Sequence, residues 1–243
     1  MVSAADNLLN LGIYTPAEAA FYARIRTQRM NSWLYGSKNA NPVVSPERGE
    51  ESRDVSFLDF VQALAIRSIR RDHRVSLQKI RGAVDFAKVH YKVSHPLAMQ
   101  HATFLFDRKS KRGEFRDDDA RYELVIKLRG DKGEELIQVT GAKAGNKMIA
   151  EIVELFLKDL TFDEEGRPEE YSAWRWGEHS VKMNPRKHFG DPLLPSGYTA
   201  QAIWESVKAE GSLEAAAKAY GVDRTEVELA CSYLDFLQGA SAT

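Results

Sequence analysis

The chain carries a single cysteine, Cys231, so an intramolecular disulfide and any multi-thiolate metal site are excluded. In its apolar, helix-forming surroundings that cysteine reads as a small buried hydrophobe. No apolar run is long enough to cross a bilayer, and the first residues lack the basic-then-apolar pattern of a signal peptide. The expectation is a soluble cytoplasmic protein with no membrane partner. Six histidines are present, yet no two stand three or four apart on a convincing helix. His95 and His101 flank an apolar segment and are expected to be structural, so no metal is predicted.

Motifs of catalysis are missing as well. Glu123-Leu-Val-Ile-Lys127 has the outline of a nuclease strand, but Val125 stands where a metal-binding carboxylate is needed. Gly141 to Lys147, GAKAGNK, is one residue short of a phosphate loop and is followed by Met148 rather than Ser or Thr. No Ser-His-Asp or Cys-His pattern stands out. The chain reads as a non-enzyme without a cofactor.

Charge is nearly balanced overall, with a formal net charge of −1. Its distribution is uneven. Residues 1–100 hold 14 Lys+Arg against 9 Asp+Glu, residues 101–200 hold 17 against 19, and residues 201–243 hold 3 against 7. A basic first part suits a polyanion, whereas an acidic end suits a basic protein partner.

The first part contains TPAEAAFYARIRTQRMNSWLYG, residues 15–36. Thr15 is a good N-cap, Pro16 suits the first helical position, and Glu18 completes a capping box. The first helix is expected to bury Ala19, Ala20 and one of Phe21 or Tyr22. A second helix starts at Thr27, turns Met30, Trp33 and Leu34 inward, and ends at Gly36. Its outward residues Gln28, Arg29, Asn31 and Ser32 are of the types whose hydrogen-bonding groups match base edges in the major groove. Two short helices with this layout predict a helix-turn-helix, with Gln28, Arg29, Asn31, Ser32 and Thr27 at the DNA groove and Arg24, Arg26 and Lys38 on phosphate. The plain alternative is a helical hairpin with a solvated polar face.

Residues 37–55 are polar and proline-containing, and predict either a short β-ribbon wing around Pro42-Val43-Val44 or a loop, with Lys38, Arg48 and Arg53 within reach of phosphate. SFLDFVQALAIRSIRR predicts a helix capped by Ser56 with Asp59 at N3. HRVSLQKIRGAVDFAKVHYKV predicts another, capped by Ser76 and ended by His95-Pro96. In the middle, ATFLFD, YELVIKL, ELIQVTGA, LTFDEEGRPEEYSAWRW and HSVKMNP predict strands, and KMIAEIVELFL an amphipathic helix. After residue 184 the pattern is all helical. Thr199 caps a helix, Gly211-Ser212 ends it and caps the next, Gly221-Val222-Asp223 makes a tight turn, and Thr225 starts a final helix. That is a second helix-turn-helix by pattern.

The expected fold class is α+β, in three parts: a winged helix-turn-helix DNA-binding unit (1–100), a small strand-rich α+β unit (101–183) and an all-α unit (184–243). Residues 13–93, with VSLQKIR at 75–81, resemble the DNA-binding domain of MerR-type regulators, without the long coiled-coil helix of that family. PRKHFGDPLLPSG, Pro185 to Gly197, and SLEAAAKAYGVDRTEVELACSY, Ser212 to Tyr233, resemble the small antitoxin domain known as domain of unknown function 433. Together with His95-Pro96-Leu97, the order of segments resembles long VapB-type antitoxins. That resemblance implies a type II toxin–antitoxin role: binding and neutralising a PIN-like ribonuclease toxin encoded next door, and repressing the operon as a homodimer on operator DNA. Asp223, Arg224, Glu226 and Glu228 on the outward face of the second unit are then expected to meet the toxin or a second copy. Gly190, Pro192 and Gly197 read as turn geometry. The competing reading is a MerR-like transcriptional regulator that senses a small ligand.

Overall fold

A computed structural model of the chain describes residues 8–46, 52–73, 75–100, 103–108, 122–130, 133–138 and 157–241. The architecture is mixed α+β. Strand β1 (Gly12–Tyr14) leads into helices α1 (Pro16–Tyr22) and α2 (Thr27–Tyr35). Strand β2 (Val55–Ser56), α3 (Phe57–His73) and α4 (Leu77–Tyr91) follow. β1 and β2 pair antiparallel, with Tyr14 opposite Val55, a ribbon that joins the entry to α1 with the entry to α3.

Local signals explain most of these limits. Ser56 and Asp59 form a second capping box at the start of α3: the Asp59 N–H donates to Ser56 Oγ at 3.1 Å, and the Ser56 hydroxyl donates to Asp59 Oδ2 at 2.7 Å. Ser76 Oγ accepts from the Lys79 N–H and starts α4. α4 ends at Tyr91, earlier than His95-Pro96 implies, because Lys92 turns into the left-handed region at φ 52°.

The strand-rich stretch forms two separate three-stranded antiparallel sheets. One is β3 (Thr103–Arg108), β4 (Tyr122–Gly130) and β5 (Gly133–Gln138); the other is β6 (Leu160–Phe162), β7 (Pro168–Trp176) and β8 (His179–Met183). The expected helix KMIAEIVELFL as far as Phe156, the GAKAGNK segment and the Asp131-Lys132 part of the β4–β5 turn lie outside the described residues, as do Arg48 and His101. Helices α5 (Ala200–Glu210), α6 (Leu213–Tyr220) and α7 (Arg224–Ser241) complete the chain. Thr199 and Ser212 cap α5 and α6 through their hydroxyls, and Gly211 and Gly221 end them in the left-handed conformation.

Two apolar cores result. The first collects Met30, Trp33 and Leu34 of α2, Phe57, Phe60 and Ile66 of α3, Ile80 and Val84 of α4, and Leu160 and Met183 of the second sheet. The second collects Ile203, Ala216, Val227, Tyr233 and Leu237 of the last three helices with Val181 of β8. The β6–β8 sheet thus serves both. Its cross-strand pair Tyr171–Met183 belongs to the first core and its pair Trp174–Val181 to the second, with a register shift between them. The Tyr171 ring meets Phe60 at 5.9 Å, and the Trp174 ring meets Phe236 of α7 at 4.1 Å. Among the described residues, no helix is long and apolar enough to cross a membrane.

Candidate nucleic-acid interface

The α1–α2 pair is built as its sequence requires. Thr15 Oγ1 accepts from the Glu18 N–H at 3.2 Å, while the Thr15 N–H donates to Glu18 Oε2 at 2.8 Å. α1 stops when Arg24 takes a left-handed backbone, φ 51°, and the Ile25 N–H returns to the Ala20 carbonyl at 2.8 Å. The Ala23 carbonyl, otherwise left open at the helix end, accepts from Arg67 Nη1 of α3 at 2.6 Å. α2 then runs from Thr27 with Met30, Trp33 and Leu34 buried, and Gly36 at φ 79° closes it. An added Cβ at Gly36 would stand 2.9 Å from the Ala40 carbonyl, so glycine is required there twice over.

The segment after α2 is a loop and not a ribbon. Val43 and Val44 are buried, and both of their N–H groups donate to the Trp33 carbonyl, at 2.8 and 3.1 Å. Arg81 of α4 holds the same loop from the other side, donating to the Pro42 and Asn41 carbonyls at 2.9 and 2.8 Å. Two consecutive buried valines cannot alternate in and out as a solvated wing strand must, and this decides for the loop.

A groove of about 980 Å³ opens between the outward side of α2 and the C-terminal half of α3. Its walls carry Arg24, Arg26 and Arg29 from the turn and α2, and Arg67, Arg70 and Arg71 from α3, and none of the described lining residues is a carboxylate. Gln28, Asn31 and Ser32 line it too, and Trp33 forms part of its floor. The concentration of like charge is felt inside: burial, and then the nearby Arg71, depress the Arg24 guanidinium below its ordinary pKa.

Thr27, Gln28 and Arg29 are exposed on this face, as expected for groups that meet a ligand, and Arg26 is exposed at the N-cap of α2. Asn31 and Ser32 are half-buried, and Asn31 Oδ1 is turned inward with no hydrogen-bond partner, so its carboxamide presents less to a ligand than its position suggests. Arg24 differs most from expectation. Its guanidinium carbon lies over the Phe236 ring of α7, 3.7 Å from the centroid, so this side chain joins the turn to the last helix before it reaches any phosphate. Lys38 is exposed in the turn after Gly36 and does not line the groove. Arg53 lies 5.9 Å over the Tyr35 ring, also outside it.

Arg67, Arg70 and Arg71 were not singled out from the sequence. The signal was present in AIRSIRR, residues 65–71: arginines at i, i+3 and i+4 in a helix share a face. What the sequence does not state is that this face lies beside α2.

At the other end of the molecule, the four acidic-face candidates of α7 have different surroundings. Asp223 is exposed, with no side-chain partner among the described residues. Arg224 bridges Glu214 of α6 and Glu228, one turn further along α7. Glu226 is committed internally: its Oε2 accepts from the Ser196 N–H at 3.1 Å and fixes the Pro195-Ser196-Gly197 turn. One carboxylate oxygen of Glu226 is thereby engaged, while the residue stays half-buried, as Glu228 does.

Other candidates behave as structural groups. His95 is buried 3.8 Å from Asp59. Cys231 is half-buried, and burial first, then Asp235 and Glu228, raise its thiol pKa, the opposite of an activated nucleophile. Among the described residues no group of His, Cys, Asp and Glu has the arrangement of a metal site. Gly190 does more than turn the chain. Its φ is 82°, its carbonyl accepts from the Tyr14 hydroxyl at 2.8 Å, and a Cβ there would stand 2.2 Å from Tyr14 Oη. Gly197, at φ 91° in open space, is a turn glycine as expected.

No family model matches the chain. Among curated proteins it is similar to the one named "Putative antitoxin VapB45" from Mycobacterium tuberculosis (strain ATCC 25618 / H37Rv). The two are 24% identical over 226 residues, spanning 86% of this chain and 88% of that protein. Among solved structures it is similar to the X-ray crystal structure of Rv2018 from Mycobacterium tuberculosis, with a TM-score of 0.60 and 21% identity over 90% of this chain and 97% of that one. At that identity the likeness establishes a shared fold, which extends over nearly the full length of both chains.

Proposed function

We propose that this protein is a VapB-type antitoxin that represses its own operon through α2 and neutralises a PIN-like ribonuclease toxin through its C-terminal helices. The observation that carries the DNA-binding half is the arginine-lined groove beside the exposed Gln28 and Arg29 of α2, with no carboxylate among its described lining residues. A polyanion is the ligand such a lining favours. The antitoxin half is supported by the similarity to a protein that bears that name, over most of both chains. In this reading Gln28 and Arg29 meet base edges, with Thr27 and Ser32 beside them, and Arg26 meets phosphate. The protein acts as a homodimer, because one such motif covers only an operator half-site. Asp223 and the Glu214–Arg224–Glu228 network form the surface offered to the toxin.

The test is co-expression with the neighbouring small open reading frame, followed by pull-down and a growth assay, and titration of the upstream DNA with the purified protein. A complex that restores growth, and an Arg29→Ala protein that still restores it while losing preference for the upstream DNA, is the expected result. Failure to bind the neighbour's product sinks the antitoxin role; failure of the wild type to bind upstream duplex sinks the repressor role.

A further inference from the structure

Among the described residues six large apolar side chains are exposed, and three of them, Leu8, Leu11 and Phe189, fall at one place. Leu11 and Ile13 leave the chain on the same side, by the alternation of an extended segment. Ile13 packs on Gly190, where an added Cβ would stand 2.8 Å from Ile13 Cδ1. Leu11 and Phe189 therefore flank one contact. Leu8 joins them through a turn, in which its carbonyl accepts from the Leu11 N–H at 3.3 Å. We propose that this patch, centred on Phe189, is where a second copy of the chain docks across a two-fold axis. This rests on the homodimer of the reading above and assigns it a surface.

Phe189 is held out under strain. His188, Phe189 and Gly190 are successive left-handed residues, at φ 42°, 52° and 82°, in a region that disfavours any residue with a Cβ. The Phe189 side of the turn is nonetheless 76% exposed, so little of the ring is buried in its own chain to offset that strain. The conformation is imposed by neighbours. The Gly190 carbonyl accepts from the Tyr14 hydroxyl at 2.8 Å, the Gly190 N–H donates to the Lys187 carbonyl at 2.9 Å, and the Asp191 N–H donates to the His188 carbonyl at 3.1 Å. An aromatic ring carried on a turn fixed in this way loses little freedom when it is covered, which is the character of an interface anchor.

The charges around the ring select the occupant. Lys187 and His188 are exposed on the turn, and Glu18 is exposed in the first turn of α1. Asp191 feels both signs: burial, then Glu18, raise its carboxyl pKa, and His188 lowers it. A patch that carries both signs around an apolar centre complements itself under a two-fold rotation, with the basic turn of each copy against the acidic helix start of the other. That is what an isologous contact requires. The same carboxylates make the patch a poor site for phosphate. It also lies at the N-terminal end of α1, whereas the arginine groove begins at the C-terminal end with Arg24. A copy seated on the patch therefore leaves the groove uncovered and brings a second reader for the other half-site.

The experiment is sedimentation velocity of the full-length protein without DNA, over concentrations that run from monomer to dimer. Wild type is expected to dimerise as concentration rises. Phe189→Glu and Leu11→Glu are each expected to weaken the dimer by about tenfold or more. Val89→Glu, at an exposed apolar site on α4 outside the patch, is expected to leave it unchanged. Phe189→Gly separates contact from folding. At dilution it should melt no lower than wild type, since glycine accepts the left-handed backbone, yet dimerise as poorly as Phe189→Glu. A lower melt at dilution means that the ring packs within its own chain, and overturns the proposal. A wild type that stays monomeric at every concentration overturns it too. A dimer that all the patch variants keep overturns the patch and leaves the homodimer standing. If Phe189→Glu keeps the dimer but loses the neighbouring gene's product or the upstream duplex, the patch has another occupant and the proposal falls. A dimer abolished by these variants, in a protein that binds no duplex, upholds the patch and sinks only the repressor role.

Discussion

Arg24 and Phe236, at opposite ends of the chain, are stacked: the guanidinium of the first lies 3.7 Å from the ring centroid of the second, and the far side of that contact continues into Trp174, ring to ring at 4.1 Å. The Trp174 indole N–H donates to Ser232 Oγ at 3.1 Å. The turn between α1 and α2 is therefore fastened directly to α7, and through α7 to β7. Removing the ring, Phe236→Ala, takes away one cation–π contact and one aromatic pair at a half-buried site. The expected loss is about 2 kcal/mol in urea unfolding. Arg24→Lys should lose part of this, because an ammonium cannot lie flat on the ring.

The contact between Tyr14 and Gly190 makes a sharper demand. Alanine at 190 has to take a left-handed backbone and also displace the Tyr14 hydroxyl, so Gly190→Ala is expected to cost about 3 kcal/mol or more. Tyr14→Phe removes the hydroxyl and leaves the buried Gly190 carbonyl without its donor, for about 1–2 kcal/mol. In the double variant the steric part is relieved, so the two losses should not add. Denaturant melts of the four proteins measure the coupling.

Asp191 gives stability a pH dependence of known sign. Burial, then the charge of Glu18, raise its carboxyl above the ordinary aspartate range, and His188 draws it partly back. The folded protein thus holds this proton more tightly than the unfolded chain. Its contribution is fully present at pH values below the ordinary carboxyl range and is lost as pH rises through the raised value. Asp191→Asn should therefore melt higher than wild type near neutral pH and converge with it in acid. A melting series across pH 3–8 checks this; equal curves at pH 7 would count against it. Tyr22 in the same neighbourhood is pushed up to about 12 by burial and by Asp191 and Glu18, and so stays neutral throughout that series.

On the acidic face, Asp223→Lys with Glu228→Lys reverses two charges and breaks half of the Arg224 network, all at the surface. Surface ion pairs contribute little to stability, so melting should shift by no more than about 1 kcal/mol. In the proposed antitoxin role, affinity for a toxin is expected to fall by an order of magnitude or more, with DNA binding unchanged. Isothermal titration with an inactive toxin variant separates the two.

What could be seen in the sequence was what is local. The capping boxes at Thr15 and Ser56, the burial of Met30, Trp33 and Leu34, and the glycine stops at 36, 211 and 221 depend on residues within one or two turns, and they formed as expected. The strands from LTF to HSVKM were expected as short strands and formed. Harder to see was anything that depended on which surfaces meet. Two valines that suit a strand are buried in a loop because Trp33 and Arg81 offer their backbone partners. Arg24 has the type and place of a phosphate ligand, but an aromatic ring from α7 is within reach. The arginines of α3 belong to the groove only because α3 packs behind α2, and one oxygen of Glu226 is engaged because the Ser196 amide comes to it from a distant turn.

The sheet β6–β8, with one cross-strand pair in each core, also determines how the molecule comes apart. A sheet cannot lose half of its ladder and keep the rest in register, so melting of the last three helices must disturb Tyr171 and its contact with Phe60, and loosening of α3 must disturb Trp174. The two ends of the chain are therefore expected to share one cooperative transition. Hydrogen exchange would show that linkage as slow amides in α3 and α7 exchanging with a common free energy.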